Sequence, residues 1–126
     1  MDTTQLETKL YAAFAGNENL VSLLEKGTES IFHIRAPSLK PDYPILVYST
    51  TNDLPELHAD NAEFFHSVEV RVHIVTGNSD DYSQIYAEVK QVMVDLGFVR
   101  VQSTPFLGED GTFMLVTDWK IILDDN

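Results

Sequence analysis

Apolar residues recur at helical spacing at the start of the chain. Leu6, Leu10 and Phe14 fall on one stripe, and Thr4 followed by Glu7 has the spacing of a capping box, so a helix is predicted over 4–14. Gly16-Asn17 interrupts it. Asn17 can cap a short second helix over 18–26 that carries Leu20, Val21, Leu23 and Leu24 and stops at Gly27. From Ile31 the period falls to two. Ile31–Arg35 reads as a short strand ended by Pro37, 38–44 as a proline-restricted loop, and the β-branched run 45–50 as a second strand. The polar stretch 52–61, with Pro55 inside it, reads as a loop.

The clearest alternation lies in 63–76. Phe64, Val68, Val70, Val72 and Ile74 share one face and Glu69, Arg71 and His73 the other, which marks an antiparallel strand with one buried side. After a turn at Gly77-Asn78, Asp80 caps a helix over 81–96, where Tyr82, Ile85, Tyr86, Val89, Val92, Met93 and Leu96 form one stripe. Gly97 stands where a left-handed cap belongs, with Phe98 placed to pack back on Met93. A strand over 99–103, a loop over 104–111 and a last strand over 112–123 complete the chain. In that last strand both faces are apolar, Phe113, Leu115, Trp119, Ile121 and Leu123 on one and Met114, Val116 and Ile122 on the other, so it is expected to be buried on both sides. The predicted fold class is α+β: a single domain over 1–126 with an antiparallel or mixed sheet of about four to five strands and helices on one face.

Composition narrows the function. A chain of 126 residues with 44% hydrophobic residues can bury a core without staples, and the absence of cysteine excludes disulfides and thiolate metal sites. No basic-then-apolar start and no apolar run of spanning length is present, so neither a signal peptide nor a membrane segment is expected. Twenty acidic against eight basic side chains give a net charge of −12, which disfavours direct binding to nucleic acid or anionic lipid. That charge serves solubility, a basic partner, or a surface past which nucleic acid slides.

Chemistry is sparse. His33, His58, His66 and His73 have no ligand spacing, and His66 and His73 point to opposite faces of one strand. No serine sits in a nucleophile turn and no glycine-rich phosphate loop exists. The carboxylate pairs Asp80-Asp81, Glu109-Asp110 and Asp124-Asp125 read as a helix start, a turn and a tail, and Glu109-Asp110-Gly111 lacks the EF-hand ligand spacing. No enzyme activity, cofactor or metal is expected. Three surfaces remain as candidates for partners: the face with Glu69, Arg71 and His73, beside His33 and Arg35; the second apolar face of 112–123; and the loops over 52–62 and 103–111.

The amphipathic first helix with Leu10-Tyr11-Ala12-Ala13-Phe14, the entry Pro44-Ile45-Leu46-Val47-Tyr48, the strand Val68–Ile74 leading into a helix that ends Leu96-Gly97-Phe98, and the closing Thr117-Asp118-Trp119-Lys120-Ile121 follow one another in a recognisable order. Over residues 6–123 the chain resembles the phage tail completion proteins, or tail terminators, that join tail to head. The resemblance implies a virion protein made in the host cytoplasm. It would form a hexameric homo-oligomer ring on assembly, monomeric when dilute, that caps the tail tube and meets the head connector. DNA would pass through without specific binding. Candidate interface or lumen residues are Glu69, Arg71, His73, Asp53, Glu56, Glu109 and Asp110. Two other readings stay open: an acidic module that blocks a basic nuclease or DNA-binding protein, and a small enzyme or ligand-binding domain using Tyr48, His66 and Trp119.

Overall fold

A computed structural model describes residues 2–35, 42–56, 65–77, 79–108 and 111–124. Helix α1 spans Thr3–Ala15 and α2 spans Glu18–Leu23; a 3-10 turn, Gly27–Ser30, leads into strand β1, Ile31–His33. Strands β2, Ile45–Glu56, and β3, Phe65–Thr76, follow; α3, Ser79–Asp95, crosses back before β4, Val99–Leu107, and β5, Phe113–Asp124. The five strands form one sheet in the order β1-β2-β3-β5-β4, antiparallel throughout except for the parallel β1–β2 pair. The fold is therefore α+β with a mixed sheet, as the patterning predicts.

Among the described residues the helices pack on one face of the sheet. Leu6, Leu10 and Phe14 of α1, Leu20 of α2, and Ile85, Val89 and Met93 of α3 pack on Leu46, Tyr48, Val68, Val70, Val72, Ile74 and Trp119 of the sheet. Each such fully buried side chain contributes roughly 1.5–3 kcal/mol relative to exposure. Trp119 is completely buried, and its indole N–H donates to Thr117 Oγ1 at 2.8 Å; that hydroxyl donates in turn to the Val72 carbonyl at 3.0 Å. A bulky polar-tipped ring is thereby accommodated in the core with its donor satisfied.

The start of α1 differs from the expected cap. Asp2, not Thr4, is the N-cap: its carboxylate accepts from the Gln5 backbone N–H at 2.8 Å, and the Gln5 side chain accepts from the Asp2 N–H at 2.9 Å. A capping box is present two residues earlier, which leaves Glu7 free to reach the sheet. Asn17 caps α2 as expected, its Oδ1 accepting from the Leu20 N–H at 3.0 Å while its Nδ2 donates to Glu88 Oε2 of α3 at 3.2 Å, but α2 ends at Leu23 and the chain turns through the 3-10 segment. Helix α3 begins at Ser79, so Asp80 lies inside its first turn and not before it.

At the end of α3 the Phe98 N–H donates to Met93 O and the Gly97 N–H to Val94 O, the paired bonds of a Schellman motif, with Gly97 at φ 99°. Space is not limiting there, since an added Cβ would lie 3.5 Å from Ile121 Cδ1. The penalty is conformational. Gly97→Ala is expected to destabilise the chain by about 1–2 kcal/mol, read as a lower urea midpoint with an unchanged slope.

Both expected loops shorten. Residues 52–56 continue β2 against β3, past a bulge between Thr50 and Asn52, and 104–107 continue β4 against β5, past a bulge between Arg100 and Gln102. Pro55 and Pro105 both lie in stretches at the sheet border, where a missing N–H is tolerated. The partner strand supplies the register that local propensity lacks. The remaining parts of those two predicted loops, 57–62 and 109–110, lie outside the described residues. The last strand is also corrected. Leu115, Thr117 and Trp119 are buried, but on its other face Met114 and Val116 are only half-buried and Ile122 is exposed, because no helix covers that side.

Candidate functional site

The sheet face away from the helices is the surface that Glu69, Arg71 and His73 share. Register places its side chains in rows across β2, β3, β5 and β4. One row is Ser49, Arg71, Asp118 and Gln102; the next is Asn52, Glu69, Lys120 and Val99; on the other side lies Val47, His73, Val116 and Thr104. More apolar rows flank these, Ile45, Val75, Met114 and Phe106 at one end and Leu54, Ser67 and Ile122 at the other. The face is therefore banded: apolar, charged, apolar.

Its centre is a three-residue network. Arg71 donates through Nε to Asp118 Oδ1 at 2.8 Å and through Nη2 to Asp118 Oδ2 at 3.2 Å, while Gln102 Nε2 donates to Oδ2 at 2.7 Å. The bidentate arrangement holds the Asp118 carboxyl below its ordinary range, with burial opposing and the Gln102 bond assisting, and raises Arg71 in return. His73 stands in the adjacent row. Burial lowers its imidazole and the Arg71 charge lowers it further, against a smaller pull from Asp118.

Glu69, Arg71 and His73 thus share the open face as their spacing requires. His33 does not join them. It lies in register with Tyr48, whose own row is on the helix side; there its ring stacks on Tyr48 at 5.0 Å and its Nε2 meets Glu7 Oε2 at 2.8 Å. Arg35 lies beyond the end of β1. The parallel β1–β2 register, invisible in single-strand alternation, sets His33 on the helix side, where it stays exposed. Asp53 also faces the helices. It accepts from Thr3 Oγ1 and pairs with His66 Nδ1 at 2.7 Å, tying the start of α1 to the β2–β3 hairpin. Both bonds lower its carboxyl, that to Thr3 most. Glu56 pairs in register with Phe65 at the end of β2. Glu109 and Asp110 lie outside the described residues.

Sequence reasoning missed Asp118, Gln102 and Lys120 on this face. Asp118 left a signal: it is a charge inserted between Val116 and Lys120 on a face otherwise carrying Met114, Val116 and Ile122.

The residues suggested for a small-molecule site do not converge. Tyr48 lines a cleft of about 390 Å3 with Thr4, Glu7, Thr8, Tyr11 and His33, and neither His66 nor Trp119 borders it. Burial and the Glu7 charge raise the Tyr48 hydroxyl, which makes it a poor base. Among the described residues no group of three or more His, Asp or Glu side chains is arranged to hold a metal ion. Among them, too, no helix is long and apolar enough to cross a membrane.

The shifts fix the sign of the pH response. His73 titrates lower in the fold than its ordinary 6.5, so its contribution is present above pH 6.5 and is lost as pH falls through the folded value. Asp53 and Asp118 titrate below the ordinary 3.8, so theirs is lost only as pH falls from 3.8 through still lower values. The urea midpoint is expected to be flat at neutral pH, to decline first below 6.5 and then more steeply below 3.8. His73→Gln should remove the first decline alone; a midpoint that rises on acidification would contradict the assignment.

No family model matches the chain, and no curated protein matches it. Among solved structures it is similar to a protein chain in the virion of a native gene transfer agent particle, with a TM-score of 0.68 over 91% of each chain at 10% identity, a likeness of fold across nearly the whole length of both.

Proposed function

We propose that this chain is a non-enzymatic virion structural protein of the tail-completion type, a ring that caps the tail tube and joins it to the head connector. The observation that carries the reading is the fold shared over 91% of both chains with a component of a virion particle. The open sheet face supports it. Among the described residues the helices pack on one face of the sheet, and on the other Val99, Lys120 and Ile122 near the β4 edge are exposed, which is surface ready for neighbours. The acidic balance suits a ring through which DNA moves, because a basic lumen would retain phosphates.

The reading of an acidic module that blocks a basic partner has less support. Such mimicry needs unpaired carboxylates presented together, and the open face instead neutralises Asp118 with Arg71 and sets Lys120 opposite Glu69.

The test is assembly on tails. Purified chain mixed with tail tubes and imaged in negative stain should form rings at one tube end, and tails made without it should lack heads. A strict monomer at high concentration that leaves tube ends bare would overturn the proposal. Capture of a basic nuclease with steep loss at moderate salt, on a chain that never forms rings, would favour the inhibitor instead.

A further inference from the structure

We infer that copies of this chain join head to tail by sheet edges, β4 of one copy against the Thr51–Glu56 end of β2 of the next. The inference rests on the ring reading and names the surfaces that would build the ring. Among the described residues neither edge is paired. Strand β4 pairs with β5 on one side, and among the described residues no strand borders the other. Strand β1 covers β2 at Leu46, Val47 and Tyr48, and beyond them residues 51–55 are exposed at the sheet border.

Strand β4 is also apolar where a folded monomer gains nothing from it, and the otherwise polar β2 edge presents one large apolar side chain. Val99 is 70% exposed, Val101 52% and Leu107 71% on β4; Leu54 is 51% exposed on the β2 edge. A long exposed apolar edge is a template for pairing with another chain. Beside β4 lies an apolar groove of about 460 Å3 lined by Gly97, Val99, Val101, Lys120, Ile121 and Ile122, large enough for a leucine side chain.

Charge selects the occupant. In a chain of net charge −12, the stretch 96–108 holds no acidic residue and one base, Arg100, with Lys120 on the groove rim. The β2 edge carries Glu56 and Asp53, the latter already bonded to Thr3 and His66 on the helix side, and no base. Pairing β4 with β4 would oppose like charges, as would β2 with β2; pairing β4 with β2 sets basic against acidic. Direction agrees. Three antiparallel steps separate β2 from β4, so the two strands run oppositely, and copies set side by side around an axis present them as an antiparallel pair. Two different surfaces used at each junction make the contact heterologous, which a ring requires and a two-fold dimer does not. The bulge after Arg100 and Pro105 limit the ladder, which keeps β4 from pairing indiscriminately in dilute solution.

The chain has no cysteine, so introduced thiols report the junction directly. Positions 101 and 54 lie three strand spacings apart within one copy, about 14 Å laterally, and are offset along the strands as well, so Val101→Cys and Leu54→Cys are too far apart to bridge internally. Under mild oxidation on assembled rings, the double variant should cross-link through most of its chains into multimers up to the closed ring. Each single variant alone should stay uncross-linked, and a mixture of the two should give dimers. Arg100→Glu should reduce cross-linking of the double variant by about tenfold. Rings that form without these cross-links overturn the edge assignment and leave the ring reading intact, as do dimers of Val101→Cys with itself. Failure to form any ring, with folding verified by circular dichroism, overturns the ring reading and this inference with it.

Discussion

Replacing Trp119 with alanine is expected to destabilise the chain by about 4 kcal/mol, the scale of a large aromatic removed from a closed core. The ring is fully buried on the helix side of β5, in the row with Thr50 and Val70. Its loss leaves a cavity bounded by a sheet and helices that cannot both move in. It also removes the donor that orients the Thr117 hydroxyl, so Thr117 keeps one bond, to the Val72 carbonyl, where it had two. For a domain of this size such a loss lowers Tm by roughly 10–20 °C. Trp119→Phe separates the two contributions. It restores most of the volume and none of the N–H, and should recover more than half of the lost stability. Thermal unfolding followed by circular dichroism decides the matter; a Tm change below a few degrees for the alanine variant would mean that the core closes over the gap.

The same residue shows how much of the fold was legible beforehand. Period-two spacing put Trp119 on the face of β5 that faces the core, and period 3.6 put Ile85, Val89 and Met93 on the buried side of α3; burial obeys both. The patterns fail where a neighbour, not the segment itself, decides the conformation. Thr51–Glu56 has little strand propensity and a proline, yet extends β2 because β3 offers a ladder through to Phe65. His33 looked like a companion of Arg71 until the β1 register with β2 set it beside Tyr48. Asp118 escaped notice for the same reason, since its meaning lies in Arg71 and Gln102, 47 and 16 residues away in sequence. Element existence is a property of the local pattern. Partner choice on the open face is a property of register, which no single strand encodes.

Asp118→Ala is expected to cost about 2 kcal/mol, more than an exposed ion pair would suggest, because the two partners differ in burial. The Asp118 side chain is 12% exposed and that of Arg71 42%. Removing the carboxylate strands a half-buried guanidinium and the Gln102 amide together, and unpaired groups cost more than the bond they lose. Arg71→Ala should cost less, about 1 kcal/mol, since Gln102 continues to donate to Asp118. The double variant Arg71→Ala/Asp118→Ala should then cost less than the sum of the singles by about 1 kcal/mol, measured as a coupling energy from urea midpoints. Because Asp118 titrates below 3.8, that coupling should persist at pH 4 and disappear only at more acidic values. Additive singles would show that the pair is a bystander of the register. The cycle also bears on assembly. Arg71 and Asp118 neutralise one another at the middle of the open face, so the double variant leaves net charge unchanged and the β4 and β2 edges untouched. If copies join by those edges, it should cross-link between Val101→Cys and Leu54→Cys as fully as the parent does, even though the face at its centre has been stripped of its ion pair.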